Sequence, residues 1–331
     1  MLLLPEINRR PIVFLYPGQG ASPQGILQEL YQLNADIQNT LDAVLDAVDS
    51  VVQERQQQGH AIAPDMLREV LLTPDTGASL PYGLSQLALY TGAVALSHVL
   101  RRSGIQPKAA LAESFGEIAA CECAGNVSIT NGARMVCALN DAYRSVLNQG
   151  SMLLVNASEE KTRATLRKIN HPDLALATVN SPTHTVVSGS HDALQAMIDA
   201  TQPGTPPPRK LNIAYASHHP QHTGVQQEAL RTLSGIPRSP LTLALYSTVQ
   251  QRAYTVQDDL IAGFTDNTIK PCHLPNTLNA LARDLSNPLF IDLGSNGYMA
   301  RCVSKILPGA QTYAPLTQNA IDLRNHLTHR R

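Results

Sequence analysis

The sequence predicts an α/β fold in which a smaller βαββαβ unit is inserted into a larger body. Short apolar runs that end at glycine or proline turns predict buried strands, and longer segments with apolar residues every three or four positions predict helices. The pattern changes near residues 149–150, from where the order becomes βαββαβ. With 331 residues, of which 43% are hydrophobic and 15% charged, the chain can bury a large core in one or two domains.

The first part of the chain alternates short apolar runs with helical segments. The run PIVFLY ends at the turn Pro17–Gly20, which favours a buried strand, and Gly104 and Pro107 end a strongly apolar helix. In order, the predicted elements are strand 11–16, helix 25–57 with one break, helix 83–103, a strand over KAALAES, a small-residue helix over FGEIAACECAG, and helix 128–148.

The second part predicts a separate small subdomain over residues 149–214. Its elements are strand 152–156, helix 158–168, strands 174–180 and 184–189, helix 191–201 and strand 211–215. This βαββαβ order is the split-βαβ, ferredoxin-like pattern. Residues 1–148 and 215–331, which include the apolar strand PLFIDLG, are then expected to form the large catalytic subdomain.

The charge balance and the cysteines exclude several classes of protein. The chain has 25 basic and 26 acidic residues, so it lacks the positive charge that binding to nucleic acid or an anionic membrane requires. Its five cysteines form no CxxC pair, which is typical of reduced thiols in the cytosol. No apolar run approaches the ~18 residues of a membrane span. We therefore expect a cytoplasmic protein with no nucleic-acid or membrane partner.

A serine follows one of the predicted strands in the order strand, Ala112–Gly116, helix. This is the layout of a nucleophile elbow, in which a sharp turn projects the hydroxyl of Ser114 away from the backbone. The backbone N–H of Phe115 and the helix N-terminus would stabilise an oxyanion there. The same string also fits a serine that only caps the helix, and on its own it does not decide between the two.

A histidine cluster, SHHPQH, offers a base for that serine. His218 and His222 have the spacing of two metal ligands on a helix, but Pro220 disfavours a helix and no acidic cluster lies beside them. The cluster could also consist of polar loop histidines, His219 among them. Because a serine hydroxyl is a poor nucleophile unaided, we favour a general base and expect neither a metal nor a cofactor.

Four blocks of this sequence resemble the malonyl-CoA:ACP transacylase family and the acyltransferase domains of polyketide synthases. They are YPGQG (16–20), AESFGE (112–117), YASH (215–218) and DLGSNG (292–297), and they stand in the family's order. The resemblance runs from about residue 11 to residue 310. It implies an α/β-hydrolase-like large subdomain with an inserted ferredoxin-like small subdomain.

The resemblance also implies roles for individual residues. Ser114 would be the nucleophile and His218 its base, while Gln19 would lend a backbone N–H to the oxyanion hole beside Phe115. Asn267, in TDNTIKP, matches the position whose backbone carbonyl orients the histidine. Such a site is a dyad with a carbonyl rather than a full triad.

Other positions of these blocks bear on the substrate and on the alternative fold. Tyr215 and Ser217, in YASH, are expected to contribute to the substrate site. A true α/β-hydrolase would instead place an acid just after a strand, between Ser114 and His218 in chain order. The strand over 174–180 ends at Asn180-Ser181 and supplies no such acid.

Two positions depart from the malonyl-type pattern. Leu139 stands where those members carry a carboxylate-binding arginine, and Arg134 and Arg144 each lie five residues away, roughly 140° off the required helix face. Glu113 replaces a histidine, and at ~5 Å with an effective dielectric of ~20 it would repel a malonyl carboxylate by about 3 kcal/mol. We therefore expect an apolar pocket floor near Leu139 and acyl groups without a free carboxylate.

A family member that lacks this arginine resembles the acyl hydrolases and atypical acyltransferases of trans-acting polyketide pathways. The expected substrate is an acyl thioester on an acyl carrier protein or on CoA. The hydrolase releases the acyl group from Ser114 to water, and the alternative enzyme passes it to a second carrier protein. An inactive member that only binds a carrier protein is a third possibility, from a different functional class.

Overall fold

The computed structural model describes residues 10–74, 77, 79–201 and 206–317, so the outer ends of the predicted large subdomain lie outside it. The strands are β1 (Ile12–Tyr16), β2 (Ala109–Ala112), β3 (Gly150–Val155), β4 (Leu174–Ser181), β5 (His184–Ser190), β6 (Arg209–Lys210), β7 (Ala244–Ser247), β8 (Arg252–Ala253), β9 (Cys272–His273), β10 (Leu289–Asp292) and β11 (Gln311–Tyr313). The α-helices are α1 (Gln28–Tyr31), α2 (Ala35–Gln57), α3 (Pro64–Leu72), α4 (Leu84–Arg102), α5 (Glu117–Cys123), α6 (Ile129–Tyr143), α7 (Glu159–Ile169), α8 (His191–Asp199), α9 (Thr223–Leu233), α10 (Leu260–Thr265), α11 (Leu274–Asp284) and α12 (Tyr298–Ile306). None of the helices in these ranges is long and apolar enough to cross a membrane.

The larger sheet has the strand order β11-β10-β1-β2-β7-β8, and only the β7–β8 pair is antiparallel. Phe14 and Tyr16 pack into a core built with helices α2 to α6, while Val13 and Leu15 pack against α11 and α12 on the other face. Because both faces are covered, β1 is apolar throughout rather than alternating. The strands β1 and β2 are parallel neighbours, so the turn after Tyr16 lies beside the turn after Ala112.

The smaller sheet has the order β6-β3-β5-β4-β9, with β3, β5 and β4 antiparallel. Helices α7 and α8 cover one face, where Leu166 and Leu194 pack against Leu153 and Val187. This is the ferredoxin-like subdomain that the sequence predicts. One strand comes from outside the predicted 149–214 segment, since β9 pairs in parallel with β4 and joins this sheet to the main body. The exact bounds of the two subdomains therefore remain a prediction.

The predicted strand over 211–215 is wrong, because the observed strand β6 ends at Lys210. The Leu211 N–H still donates to the Met152 carbonyl, and the Ser151 hydroxyl donates to the Ile213 carbonyl at 2.8 Å. Beyond that point the chain leaves the sheet and continues to His218. One backbone and one side-chain hydrogen bond thus take the place of the ladder that a continued strand would have formed.

Candidate active site

Ser114 lies on a strained turn between β2 and α5. Its φ angle of 53° is in the left-handed region, and the 3-10 turn Ser114–Gly116 leads directly into the helix at Glu117. Non-glycine residues seldom adopt this φ, and such strain concentrates at functional sites. The elbow is tight because a Cβ on Gly116 would lie 2.2 Å from the Tyr16 carbonyl oxygen. Only glycine lets the ends of β1 and β2 approach so closely.

Gly116→Ala should therefore destabilise the fold by about 2–3 kcal/mol, because backbone atoms rather than a flexible side chain oppose the added methyl group. Urea unfolding followed by circular dichroism measures the change. Gly224→Ala is the matched control, since a Cβ there meets no atom within 4 Å and alanine is the better helix former. Equal midpoints for Gly116→Ala and the unmodified chain would contradict this account of the elbow.

The structure brings the two predicted catalytic side chains together. The Oγ of Ser114 lies 2.7 Å from Nε2 of His218, and Nδ1 of His218 lies 2.9 Å from the carbonyl oxygen of Lys270. A carbonyl can only accept, so Nδ1 carries the proton and Nε2 presents a lone pair to the serine hydroxyl. The carbonyl is that of Lys270, and not that of Asn267 as the resemblance implies.

Asn267 instead supports the site through its side chain. Its amide donates to Glu117 and to the Phe264 carbonyl, both at 2.8 Å. Glu117 also accepts from the Tyr254 hydroxyl, and from Ser247 at 3.3 Å. This buried network ties the first residue of α5 to the segment that carries Lys270. Asn267 therefore links the elbow to the segment that carries Lys270.

Burial of the His218 ring lowers its pKa to about 4, although the hydrogen bond to the Lys270 carbonyl acts in the opposite direction. The ring is 1% exposed and its backbone also lies in the left-handed region, at a φ of 57°. The imidazole is thus neutral, and able to accept a proton, throughout the physiological pH range.

The acylation rate should accordingly stay constant as pH falls through 6.5 and should decline only near pH 4, because the neutral base persists until protonation at its lowered pKa. Stopped-flow acylation at limiting substrate, which reports the free enzyme, measures this midpoint. Glu113 also titrates near neutrality, so the profile is repeated in Glu113→Gln. A midpoint near 6.5 in both proteins would show that His218 is solvated and would contradict the buried site.

The predicted oxyanion residues lie in this region. The Oε1 atom of Gln19 accepts from the Tyr215 hydroxyl at 2.9 Å and from Gln86 at 3.1 Å, which fixes the side chain of Gln19. Tyr215 stacks on Tyr143 with ring centroids 4.0 Å apart. Tyr215, itself held by this stacking, thereby stabilises the position of the Gln19 side chain. The use of the Gln19 and Phe115 backbone N–H groups as oxyanion donors stays a prediction.

A cavity of about 300 Å³ opens at Ser114 between the two sheets. The turn 17–21, Glu113, Ser217 and His218 form its inner part. Its opposite wall is the uncovered face of the smaller sheet, with the apolar side chains Met152, Leu154, Val186, Leu211 and Ile213. Leu139 does not line this cavity, because it is buried in the core around helices α2 to α6.

Three cations that the sequence analysis missed stand at the cavity: Arg209, Arg301 and Lys305. All three side chains are exposed, so they form the rim rather than the interior. Arg301 and Lys305 lie one turn apart on α12, directly after the DLGSNG block. That spacing is the signal that could have identified them as a pair on one face.

Glu113 is an acidic residue of the inner part of the cavity. It is 6% exposed, and burial together with the nearby charge of Asp292 raises its pKa to about 7, while the Gly18 backbone N–H acts in the opposite direction. The Glu113 carboxyl therefore exists in both protonation states at neutral pH. It lines the cavity together with Ser114, as its position in the sequence predicts.

The other histidines of SHHPQH do not reach Ser114. The backbone N–H of His219 donates to the Thr268 carbonyl, and the ring of His219 lies 5.4 Å from that of His222 between centroids. Across the ranges that the structure describes, no three metal-binding side chains come together. Of the three histidines in this cluster, His218 is the one whose ring contacts Ser114.

Residues 13–318 match the family described as the acyl transferase domain. Among curated proteins, the chain is 31% identical over 242 residues, 73% of its length, to the polyketide synthase GfsB of Streptomyces halstedii. It is 30% identical over 248 residues, 75% of its length, to the erythronolide synthase EryA2 of Saccharopolyspora erythraea. The chain covers only 4% and 7% of these two proteins, which are far longer.

Solved structures of acyltransferases have the same fold as this chain. The acyltransferase domain from module 8 of the salinomycin polyketide synthase is 25% identical, with a TM-score of 0.79 over 96% of this chain and 75% of that one. The malonyl CoA-acyl carrier protein transacylase of Coxiella burnetii is 17% identical, with a TM-score of 0.82 over 97% and 98%. The fold, the elbow and the family match lead to one conclusion. The chain belongs to the acyl transferase domain family, whose members in polyketide synthases transfer acyl groups.

Proposed function

We propose that this chain takes a non-carboxylated acyl group from an acyl carrier protein thioester onto Ser114 and releases it to water. The observation that carries the acyl-serine step is the 2.7 Å contact between Ser114 Oγ and the neutral Nε2 of His218, at the inner end of a cavity between the subdomains. Clefts at such junctions are the usual place for a substrate pocket. The enzyme would thus be a trans-acting acyl hydrolase with an editing role.

In the first half-reaction, Ser114 Oγ attacks the thioester carbonyl while its proton moves to Nε2 of His218. Backbone N–H groups of Gln19 and Phe115 would hold the oxyanion that forms. The tetrahedral intermediate collapses, the C–S bond breaks, and the thiolate leaves with the proton from Nε2. The Lys270 carbonyl stabilises the transient imidazolium through Nδ1.

In the second half-reaction, Nε2 of His218 takes a proton from the acceptor that attacks the Ser114 ester. With water, the products are a free carboxylic acid and regenerated Ser114. With the thiol of a second carrier protein, the product is a new thioester, and the chain would be a trans-acting acyltransferase. Membership in an acyl-transferring family supports this alternative, whereas the first half-reaction is common to both enzymes and does not distinguish them.

The rim of the cavity suits the carrier. The exposed cations Arg209, Arg301 and Lys305 stand where a phosphate of the phosphopantetheine arm or of CoA would enter, and arginine and lysine are the usual phosphate partners. A relative of the same fold, solved as a type II polyketide acyl-carrier protein in complex with its malonyl-transacylase, supports a carrier protein as partner. That relative is 16% identical over 92% of this chain.

The choice of a non-carboxylated acyl group rests on the interior of the cavity. The described cations that line it are exposed, whereas Glu113 is buried beside Ser114. An acyl carboxylate would lose its water next to another acid and away from a cation, which is unfavourable by several kcal/mol. A neutral acyl chain avoids that penalty against the apolar wall.

Intact-mass spectrometry of the full chain with butyryl-loaded carrier protein tests the proposal. The expected result is a butyryl adduct on Ser114, followed by free butyrate at a rate that added unloaded carrier protein does not change. Faster loss of the adduct with formation of a new thioester would establish the transferase instead. If neither an adduct nor turnover is observed, the chain is instead an inactive protein that only binds the carrier.

A further inference from the structure

Three buried carboxyl groups surround the elbow, and two of them are fully supplied with donors. Glu117 accepts from the side chains of Tyr254, Ser247 and Asn267. Asp292 accepts from two backbone N–H groups, that of Gly294 at 2.8 Å and that of Ala300 at 2.9 Å. These two buried acids are therefore each held by several hydrogen bonds, as buried polar groups usually are.

Glu113 is the exception. Within the described chain, the hydrogen-bond donor that acts on its carboxyl group is the Gly18 backbone N–H, and the charge that acts on it is the like charge of Asp292. Its two oxygens offer about four acceptor positions. A buried acid with so few partners is unfavourable unless something else supplies donors. Because Glu113 lines the cavity beside Ser114, the unused positions face the space that the acyl group enters.

We propose that Glu113 binds a hydroxyl group on the acyl chain, close to the thioester carbonyl, and so makes the enzyme selective for hydroxyacyl groups. This inference rests on the proposed function. The donor must lie within a few bonds of the carbonyl carbon, because Glu113 directly precedes the serine that bonds to it. A hydroxyl both donates and accepts, so it pairs with either protonation state of the carboxyl group. An ammonium group would pair with the charged state alone and would be repelled by the three cations at the rim.

The test compares two thioesters of pantetheine, 3-hydroxybutyryl and butyryl, through the ratio of their kcat/KM values. Taking the ratio within one protein removes differences in the active fraction between variants. In the unmodified chain the hydroxyacyl substrate should be favoured by about tenfold or more, because a hydrogen bond to a charged group supplies at least that factor. Glu113→Leu should lower the ratio below one, and Glu113→Gln, which keeps an acceptor oxygen, should retain part of the preference.

Thr178→Val is the matched control. The Thr178 hydroxyl also lines the cavity and has no hydrogen-bond partner within the described residues, but it lies on the opposite wall, on β4. Loss of the Thr178 hydroxyl should change kcat/KM for both substrates by the same factor, because both carry the same pantetheine arm. The ratio of the two kcat/KM values should therefore stay unchanged. A ratio that moves with Thr178→Val and not with Glu113→Leu would overturn the inference.

Two further outcomes distinguish failure of the inference about Glu113 from failure of the proposed function. If both thioesters load Ser114 equally well in the unmodified chain and in Glu113→Leu, the proposed function stands and the role of Glu113 fails. If neither thioester acylates Ser114, the proposed function itself fails. A 3-aminobutyryl thioester completes the set, and a preference for it over 3-hydroxybutyryl would overturn the assignment of a hydroxyl group.

Discussion

Ser114→Ala should abolish the acyl-enzyme, and His218→Ala should slow its formation by several orders of magnitude. The two side chains act as one unit, since the 2.7 Å contact passes the proton of the nucleophile to its base. Removing either member of such a unit removes most of the catalysis, up to about a factor of 10⁶. Single-turnover acylation with a butyryl thioester, read as intact mass, measures both effects.

His222→Ala is the control for the histidine, because it removes a ring of the same cluster that does not contact Ser114 and should retain far more of the acylation rate. Circular dichroism must show that all three variants are folded. Near-normal turnover in Ser114→Ala would remove the central claim of a serine nucleophile. A loss in His222→Ala as large as that in His218→Ala would mean that the base has been misassigned.

The sequence was sufficient to predict the parts of the site that depend on local pattern. A strand, a serine with small residues two positions away on either side, and a helix indicate the elbow, and Gly116 is required because β1 and β2 end side by side. The split-βαβ order likewise follows from the periodicity of residues 150–199. Each of these patterns lies within one continuous segment of the sequence, so residue spacing indicates it.

Features that depend on how distant segments meet were not predictable in this way. Whether Asn267 or Lys270 presents its carbonyl to His218 depends on the 3-10 turn Asp266–Thr268 and on the pairing of β9 with β4. The strand β9 has two residues, too few for any periodic signal. The resemblance identifies the segment TDNTIKP as the one next to His218, but it does not show which carbonyl of that segment points at the ring.

The cations at the rim of the cavity are likewise brought together from distant segments, so the sequence did not predict them. Arg209 comes from β6, whereas Arg301 and Lys305 come from α12, nearly a hundred residues later. Counted along the sequence from Ser114, Leu139 is the expected position of a carboxylate-binding residue, but the fold places Leu139 in the helical core. The charge that a substrate meets is set by side chains that converge from separate elements, and the chain order does not record that convergence.

The unmodified chain should load butyryl groups onto Ser114 at least about a hundredfold faster than malonyl groups at pH 8, a difference of about 2.7 kcal/mol. Burial and Asp292 raise the pKa of Glu113 to about 7, so Glu113 is charged at pH 8 and opposes a second carboxylate. At pH 6 most Glu113 carboxyl groups are protonated, so they no longer repel the malonyl carboxylate. The preference for butyryl over malonyl groups should therefore be smaller at pH 6 than at pH 8.

Competition between matched butyryl and malonyl donors, read by acyl-enzyme mass, measures this selectivity at both pH values. Glu113→Gln removes the titrating charge at nearly constant volume, so it should reduce the selectivity at pH 8 toward its value at pH 6 and remove the pH dependence. Desolvation of the malonyl carboxylate would account for the preference that remains. If the unmodified chain instead loads malonyl as fast as butyryl at pH 8, a rim cation must reach the carboxylate. Arg301→Gln would then reveal it as a selective loss of malonyl loading, since that side chain stands at the cavity and already donates to the Asn296 carbonyl.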